Sequence, residues 1–253
     1  MMNENKDDII EVEPEPVFQP KEPGRLIAQG YEVRTRDYLT RAWRLFMENA
    51  GPFLLFATII IAFNIFIELL PRTVGFMGPL TVFLINAIFL FPFLGGMFIV
   101  AARRLKNKET DFSYFFKGFE YFIPLATQGI IIHAIVGGLL YGAYWISISY
   151  ASFEYALLSM LLLSAAIYFA VAYLFCYMLL IDRKMGPWEA MEASRRIISR
   201  RWLAFLGIAA IMLALEVVGA LLLIVGLIPA TALSLCILTV AYDDVMGIST
   251  TEF

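Results

Sequence analysis

The sequence predicts an all-α, polytopic membrane bundle of about six transmembrane helices in three hairpins, each hairpin preceded by an amphipathic interfacial helix. Three observations predict it. Of 253 residues, 60% are hydrophobic and only 16% are charged, a balance that soluble domains rarely reach. Uncharged apolar runs of spanning length recur from Pro52 onward. In lipid, only helices or closed barrels satisfy such a backbone. Finally, 18 of the 19 Lys and Arg residues fall in segments that share one side once the spans are drawn. The loops of the other side hold Arg72 alone.

Residues 1–29 read as a disordered acidic tail. Asp7, Asp8, Glu11, Glu13, Glu15 and Glu22 alternate there with Pro14, Pro16, Pro20 and Pro23, and such a stretch cannot bury enough apolar surface to fold. It lacks the basic start and apolar core of a signal peptide, so insertion is expected to rely on the first span. Residues 30–247 form the membrane domain, and residues 248–253 a short C-terminal tail. Spans are expected at 52–70, 78–102, 122–146, 155–181, 202–225 and 228–242. The last is short: Pro229 to Tyr242 is either completed by Gly226 to Ile228 or leans on its neighbours as a half-span. The positive-inside rule makes the basic face cytoplasmic, with both termini on it, in a bacterial cytoplasmic (inner) membrane.

Each basic segment enters its hairpin through an amphipathic stretch. In the first, Leu39, Ala42, Trp43 and Phe46 share a face; in the second, Phe112, Phe115, Phe116, Phe119 and Phe122; in the third, Trp188, Met191, Ile197 and Ile198. Pro187 suits the first turn of the third helix. Superposition pairs Trp43, Phe119 and Ser194, at steps of 76 and 75 residues. Asp182-Arg-Lys-Met-Gly186 is echoed 61 residues later by Asp243-Asp-Val-Met-Gly247. The chain reads as three copies of one module, with ordinary juxtamembrane anchoring as the alternative.

The run from Gly186 through Ser194 to Trp202, continued by Leu203 to Gly226 and Pro229 to Asp244, resembles a bacterial superfamily. That superfamily includes the membrane domain of some glycerophosphodiester phosphodiesterases and YciC-like proteins. Phe91-Pro-Phe-Leu-Gly95 and Phe112 to Phe119 fit the same pattern, so the resemblance spans roughly residues 36–247. It implies architecture rather than activity, since the phosphodiesterase catalytic domain is absent from this sequence.

Ionisable groups at membrane depth are costly and mark candidate sites. Glu216 lies fourteen residues past Trp202 in an otherwise uncharged run, and His133 is the only histidine. Asn64, Asn86 and Gln128 could join them in a binding centre, or all five could be interhelical hydrogen-bonding groups that hold spans together. Glu68 and Glu154 sit near span ends, within reach of the outer headgroups. Gly138-Leu-Leu-Tyr-Gly142 has the spacing of a close helix contact, expected within the chain. Arg195, Arg196, Arg200 and Arg201 lie within two turns beside Trp202 and form a candidate headgroup-binding surface.

Cys176 and Cys236 lie in apolar runs without metal-ligand spacing and read as reduced packing residues. No catalytic, phosphate-loop or dinucleotide motif appears, so no cofactor, metal or nucleic-acid partner is expected. The preferred function is a non-enzymatic scaffold or lipid-interacting accessory protein, with membrane lipids, anionic ones included, as partners. A membrane-protein partner or a homo-oligomer stays open. The alternative is a small-solute transporter or permease using polar residues between helices, with Pro92, Pro124 or Pro229 breaking a span.

Overall fold

A computed structural model describes Gly24 and residues 30–73, 78–150, 152–222 and 224–249. The acidic tail, apart from Gly24, and residues 250–253 lie outside the described residues. Everything described is helical or a connection between helices. Helix α1 is Thr35–Glu48, α2 Ala50–Thr73 and α3 Pro79–Leu105. A 3₁₀ stretch, Phe112–Tyr121, leads into α4 (Phe122–Ile132), a π-helical turn (His133–Gly137) and α5 (Gly138–Ser149). There follow α6 (Phe153–Ala172), α7 (Cys176–Arg183), α8 (Pro187–Ser199), α9 (Trp202–Leu221) and α10 (Ile224–Met246).

Six segments are long and apolar enough to cross a membrane: Ala50–Pro71, Leu80–Leu105, Phe112–Ser149, Phe153–Arg183, Trp202–Leu221 and Val225–Met246. The chain is therefore a multi-pass helical membrane protein. The sixth segment is not a half-span. Its 22 residues reach about 33 Å at helical rise, because the helix continues through Asp243 and Asp244 to Met246. Both aspartates are buried and ion-paired, which is how two charges extend an apolar helix instead of ending it.

The three hairpins are α2–α3, α4/α5 with α6/α7, and α9–α10. Consecutive hairpins meet in the same way: α4 packs on α3 and α9 on α6, and α2 packs on α10 to close a ring. The second span of each hairpin lies innermost. Met97 to Ala102, Cys176 to Asp182 and Cys236 to Met246 are continuously buried. Their rings interlock edge to face, with Phe98 and Phe175 at 5.5 and 5.4 Å from Tyr242. Apolar side chains exposed elsewhere, such as Leu203, Leu221, Phe153 and Ile123, face where lipid would lie. Cys176 and Cys236 are free and buried in that inner core, as expected.

The amphipathic stretches turn most of their apolar faces into the protein, while Trp43, Phe116 and Trp188 stay exposed. Tyr38, Ala42, Leu45 and Phe46 of α1 are buried, as are Ala190, Met191, Ser194, Ile197 and Ile198 of α8. The second stretch is a 3₁₀ helix rather than an α-helix. There Phe115 stacks on Phe56 at 4.6 Å, and Gly118 fits against the backbone of Pro92, Gly95 and Gly96. That tight contact also shifts the alignment of the three modules by one residue. The buried small residues Ala42, Gly118 and Ser194 stand at even steps of 76, whereas Trp43 is 54% exposed.

Two expectations about helix breaks and contacts fail. Pro92 and Pro229 lie inside continuous helices, and the interruptions fall instead at the π-helical turn and at Tyr173 to Phe175. Gly138 meets nothing and Gly142 only Leu162, so that spacing makes no close helix contact within the chain. Beside the Gly96–Gly118 contact, close approaches are made by Gly129, which meets the Ala87 carbonyl, and by the Gly219–Gly226 pair in the third hairpin.

Candidate functional site

Two polar regions stand out, one at the basic face and one inside the bundle. At the basic face, the last turn of α10 carries Asp243 and Asp244, and the last turn of α7 carries Asp182. Asp244 pairs with Arg34 and accepts a 2.7 Å hydrogen bond from the Tyr38 hydroxyl. Burial and that carboxylate both push the Tyr38 phenol up from its ordinary range. Asp243 takes Lys106 at 2.9 Å and Arg41 at 3.4 Å. Asp182 accepts from the Tyr242 hydroxyl at 2.7 Å and from the Ser249 backbone N–H at 2.9 Å. Arg183 donates to the Met246 and Gly247 carbonyls at 3.0 and 2.8 Å. The echoed Asp182 and Asp243 segments are thus brought together, and with them α1 and the end of α10.

Around this node the second spans all terminate in left-handed backbone, at Asn107 (φ 54°), Lys184 (φ 52°) and Gly247 (φ 67°). Such residues let carbonyls of the last turn find donors, as when the Lys108 N–H reaches the Arg103 carbonyl at 2.9 Å. A cleft of about 260 Å³ opens beside α1 and the end of α3, lined by Arg41, Arg44, Leu45, Glu48, Arg104, Leu105 and Asn107. Three guanidinium groups against one carboxylate make it net positive. Sequence reading missed it because its two walls lie some sixty residues apart and neither carries a motif.

The α8 arginines do not form one open fork. Arg195 and Arg196 both clamp Glu192, at 2.7 Å each, and hold its carboxyl down at about 2. Arg201 donates through Nε to the Tyr31 carbonyl at 3.0 Å, and Arg200 is exposed at the helix end. The buried Ser194 has a separate role: its hydroxyl donates to the Ala172 carbonyl at 2.7 Å and accepts from the Phe175 N–H at 3.2 Å. It thereby satisfies backbone groups freed by the break between α6 and α7.

Among the spans, a partly open pocket of about 280 Å³ lies between α3, α4, α6, α7, α9 and α10. Glu216 reaches it from α9 and accepts a 3.2 Å hydrogen bond from the Thr231 hydroxyl. Ser234 lines the same wall, and its hydroxyl faces the carboxylate without closing a well-formed hydrogen bond. Tyr177 is 3% exposed, and its hydroxyl has no hydrogen-bond partner among the described residues. Phe91, Leu94, Ile132, Tyr173, Met212, Leu235 and Leu238 make most of the remaining surface apolar.

The other intramembrane candidates do not gather around Glu216. His133 opens the π-helical turn, its Nδ1 lies 2.9 Å from the Gly129 carbonyl, and its ring meets Phe83 edge-on. Asn64 donates to Ile60 of its own helix at 2.8 Å. Asn86 is half-buried in α3. Gln128 is fully buried and donates to the Pro187 carbonyl at 3.3 Å, tying α4 to the start of α8. Gln128 thus ties two helices, His133 and Asn64 bond within their own helical segments, and of the five only Glu216 lines the pocket. Glu68 and Glu154 are exposed, as expected near span ends.

Comparison with known proteins returns no match to any family model, curated protein or solved structure. Function therefore has to be read from these two regions.

Proposed function

We propose that this chain is a lipid-interacting accessory protein of the bacterial cytoplasmic membrane that carries out no chemistry of its own and holds anionic phospholipid at its basic, cytoplasmic face. The observation that carries this reading is the cleft between α1 and α3. It sets Arg41, Arg44 and Arg104 around about 260 Å³, next to the exposed interfacial side chains Trp43 and Met47. Guanidinium forks match phosphate oxygens in pairs, and basic pockets between spans at the cytoplasmic side suit anionic headgroups. Asp243 and Asp244 pair with Lys106, Arg34 and Arg41, contacts that tie α1 and α3 to the end of α10. Native mass spectrometry tests the proposal. The wild type is expected to retain phosphatidylglycerol over phosphatidylcholine, and Arg44→Gln with Arg104→Gln to lose that preference. Replacing the α8 arginines with Lys should leave it intact. Equal retention by wild type and the Arg44/Arg104 variant would overturn the reading.

A second reading, passage of a small solute, is favoured by Glu216 in its cavity, since intramembrane carboxylates often mark solute or ion paths.

A further inference from the structure

We infer that the cavity around Glu216 is a binding site for the primary ammonium group of a lipophilic amine. This inference is independent of the phospholipid cleft at the basic face. Glu216 lies about 21 Å along α9 from Trp202, at membrane depth and half-buried. A carboxylate there needs a proton or a cation, because a lone buried charge is too costly to keep. None of the residues lining the cavity is Lys, Arg or His. When the carboxylate is charged, its counter-charge comes from outside the lining.

The remaining groups define which cation. Thr231, Ser234 and Tyr177, each with a hydroxyl oxygen, line the same pocket, and the buried Tyr177 hydroxyl has no protein partner among the described residues. An ammonium carries three N–H donors and no acceptor, so it can donate to the carboxylate and to two of these oxygens at once. Phe91, Tyr173 and Tyr177 add aromatic rings, whose faces attract cations in a dry setting. The apolar lining, Leu235 and Leu238 included, takes a hydrocarbon body. An anion would meet Glu216 with no compensating charge in the lining. A polyol would find too few polar partners for its hydroxyls.

The ammonium can belong to a soluble amine or to the headgroup of an aminophospholipid, and the test separates them. Full-length protein in phosphatidylcholine nanodiscs is titrated with radiolabelled phenethylammonium. Saturable binding at one site is expected, weakened at least about tenfold by Glu216→Gln and several-fold by Tyr177→Phe. Arg44→Gln with Arg104→Gln should leave it unchanged, which keeps this inference distinct from the phospholipid reading. The neutral isostere 2-phenylethanol should compete poorly. Adding phosphatidylethanolamine to the discs assigns the source: competition identifies a lipid amine, and its absence a soluble one.

Should Glu216→Gln fail to fold, reaction of wild-type Glu216 with dicyclohexylcarbodiimide serves instead, and phenethylammonium is expected to slow it. Non-saturable binding overturns the inference. So does equal binding by a folded Glu216→Gln, equal competition by 2-phenylethanol, or a carbodiimide rate unchanged by the amine.

Discussion

Glu192 accepts hydrogen bonds from Arg195 and Arg196, and these hold its carboxyl at about 2, well below the ordinary carboxylate value of 4.5. A carboxyl whose folded value is depressed stabilises the fold fully above the unfolded value. That contribution is lost as pH falls from about 4.5 toward 2. The wild type should therefore lose more thermal stability across this window than Glu192→Gln does. The difference should stay below about 1 kcal/mol and shrink in high salt, because the pair is largely in water. Matching pH profiles for the two proteins would show that the clamp contributes nothing. Residue by residue, the sequence was most informative where a charge stood alone. Glu216 was visible as the single carboxylate in an apolar run, and it does line a cavity. Thr231, Ser234 and Tyr177 were not visible, since hydroxyls are common in spans and only packing gathers three such residues around the pocket that Glu216 lines. His133 was misleading for the converse reason: rarity drew attention to a ring whose Nδ1 lies against a carbonyl of its own helix.

Among the elements, the spans and amphipathic stretches were legible because period and length are properties of contiguous residues. What those stretches touch was not. Trp and Phe beside Arg look the same in sequence whether the apolar face meets lipid or protein, and here most of it meets protein while Trp43 and Trp188 stay exposed. The 3₁₀ form of Phe112–Tyr121 follows from its seat on α3. A Cβ on Gly96 would lie 1.7 Å from the Phe115 carbonyl oxygen, and one on Gly118 2.1 Å from that of Pro92. No side-chain rotation relieves a clash with backbone, so one methyl group would separate the two elements. Gly96→Ala is expected to lower the unfolding midpoint by the equivalent of about 3 kcal/mol or to abolish folding. Gly138→Ala, on an open surface of the third span, should leave it unchanged or raise it slightly through helix propensity. Similar midpoints for the two variants in detergent would mean that the α3 contact is looser than this geometry.

At the scale of the whole molecule, three hairpins in sequence do not by themselves make a ring. The closing contacts join residues about two hundred positions apart: Arg34 and Tyr38 with Asp244, and Arg41 with Asp243. Nothing local announces them, because α1 looks like a preface to the first hairpin and Asp243 like the end of the last span. Once α1 packs on α10, its basic residues and the end of the sixth span must share a side of the membrane. The number of crossings between them is then even, and the Tyr150 region, between the third and fourth spans, belongs to the other side. The native cysteines do not interfere with a labelling test, since Cys176 and Cys236 are 0% exposed. Thr40→Cys and Ser249→Cys should react with a membrane-impermeant maleimide only in inside-out vesicles, and Ser149→Cys only in intact spheroplasts. If all three react only in spheroplasts, the odd number of crossings before Tyr150 and the cytoplasmic basic face both fall. If the pattern is reversed as a set, the ring stands and only the direction of insertion changes. If Thr40 and Ser249 react from opposite sides, the contact of α1 with α10 is wrong, and with it the ring that forms the Glu216 cavity.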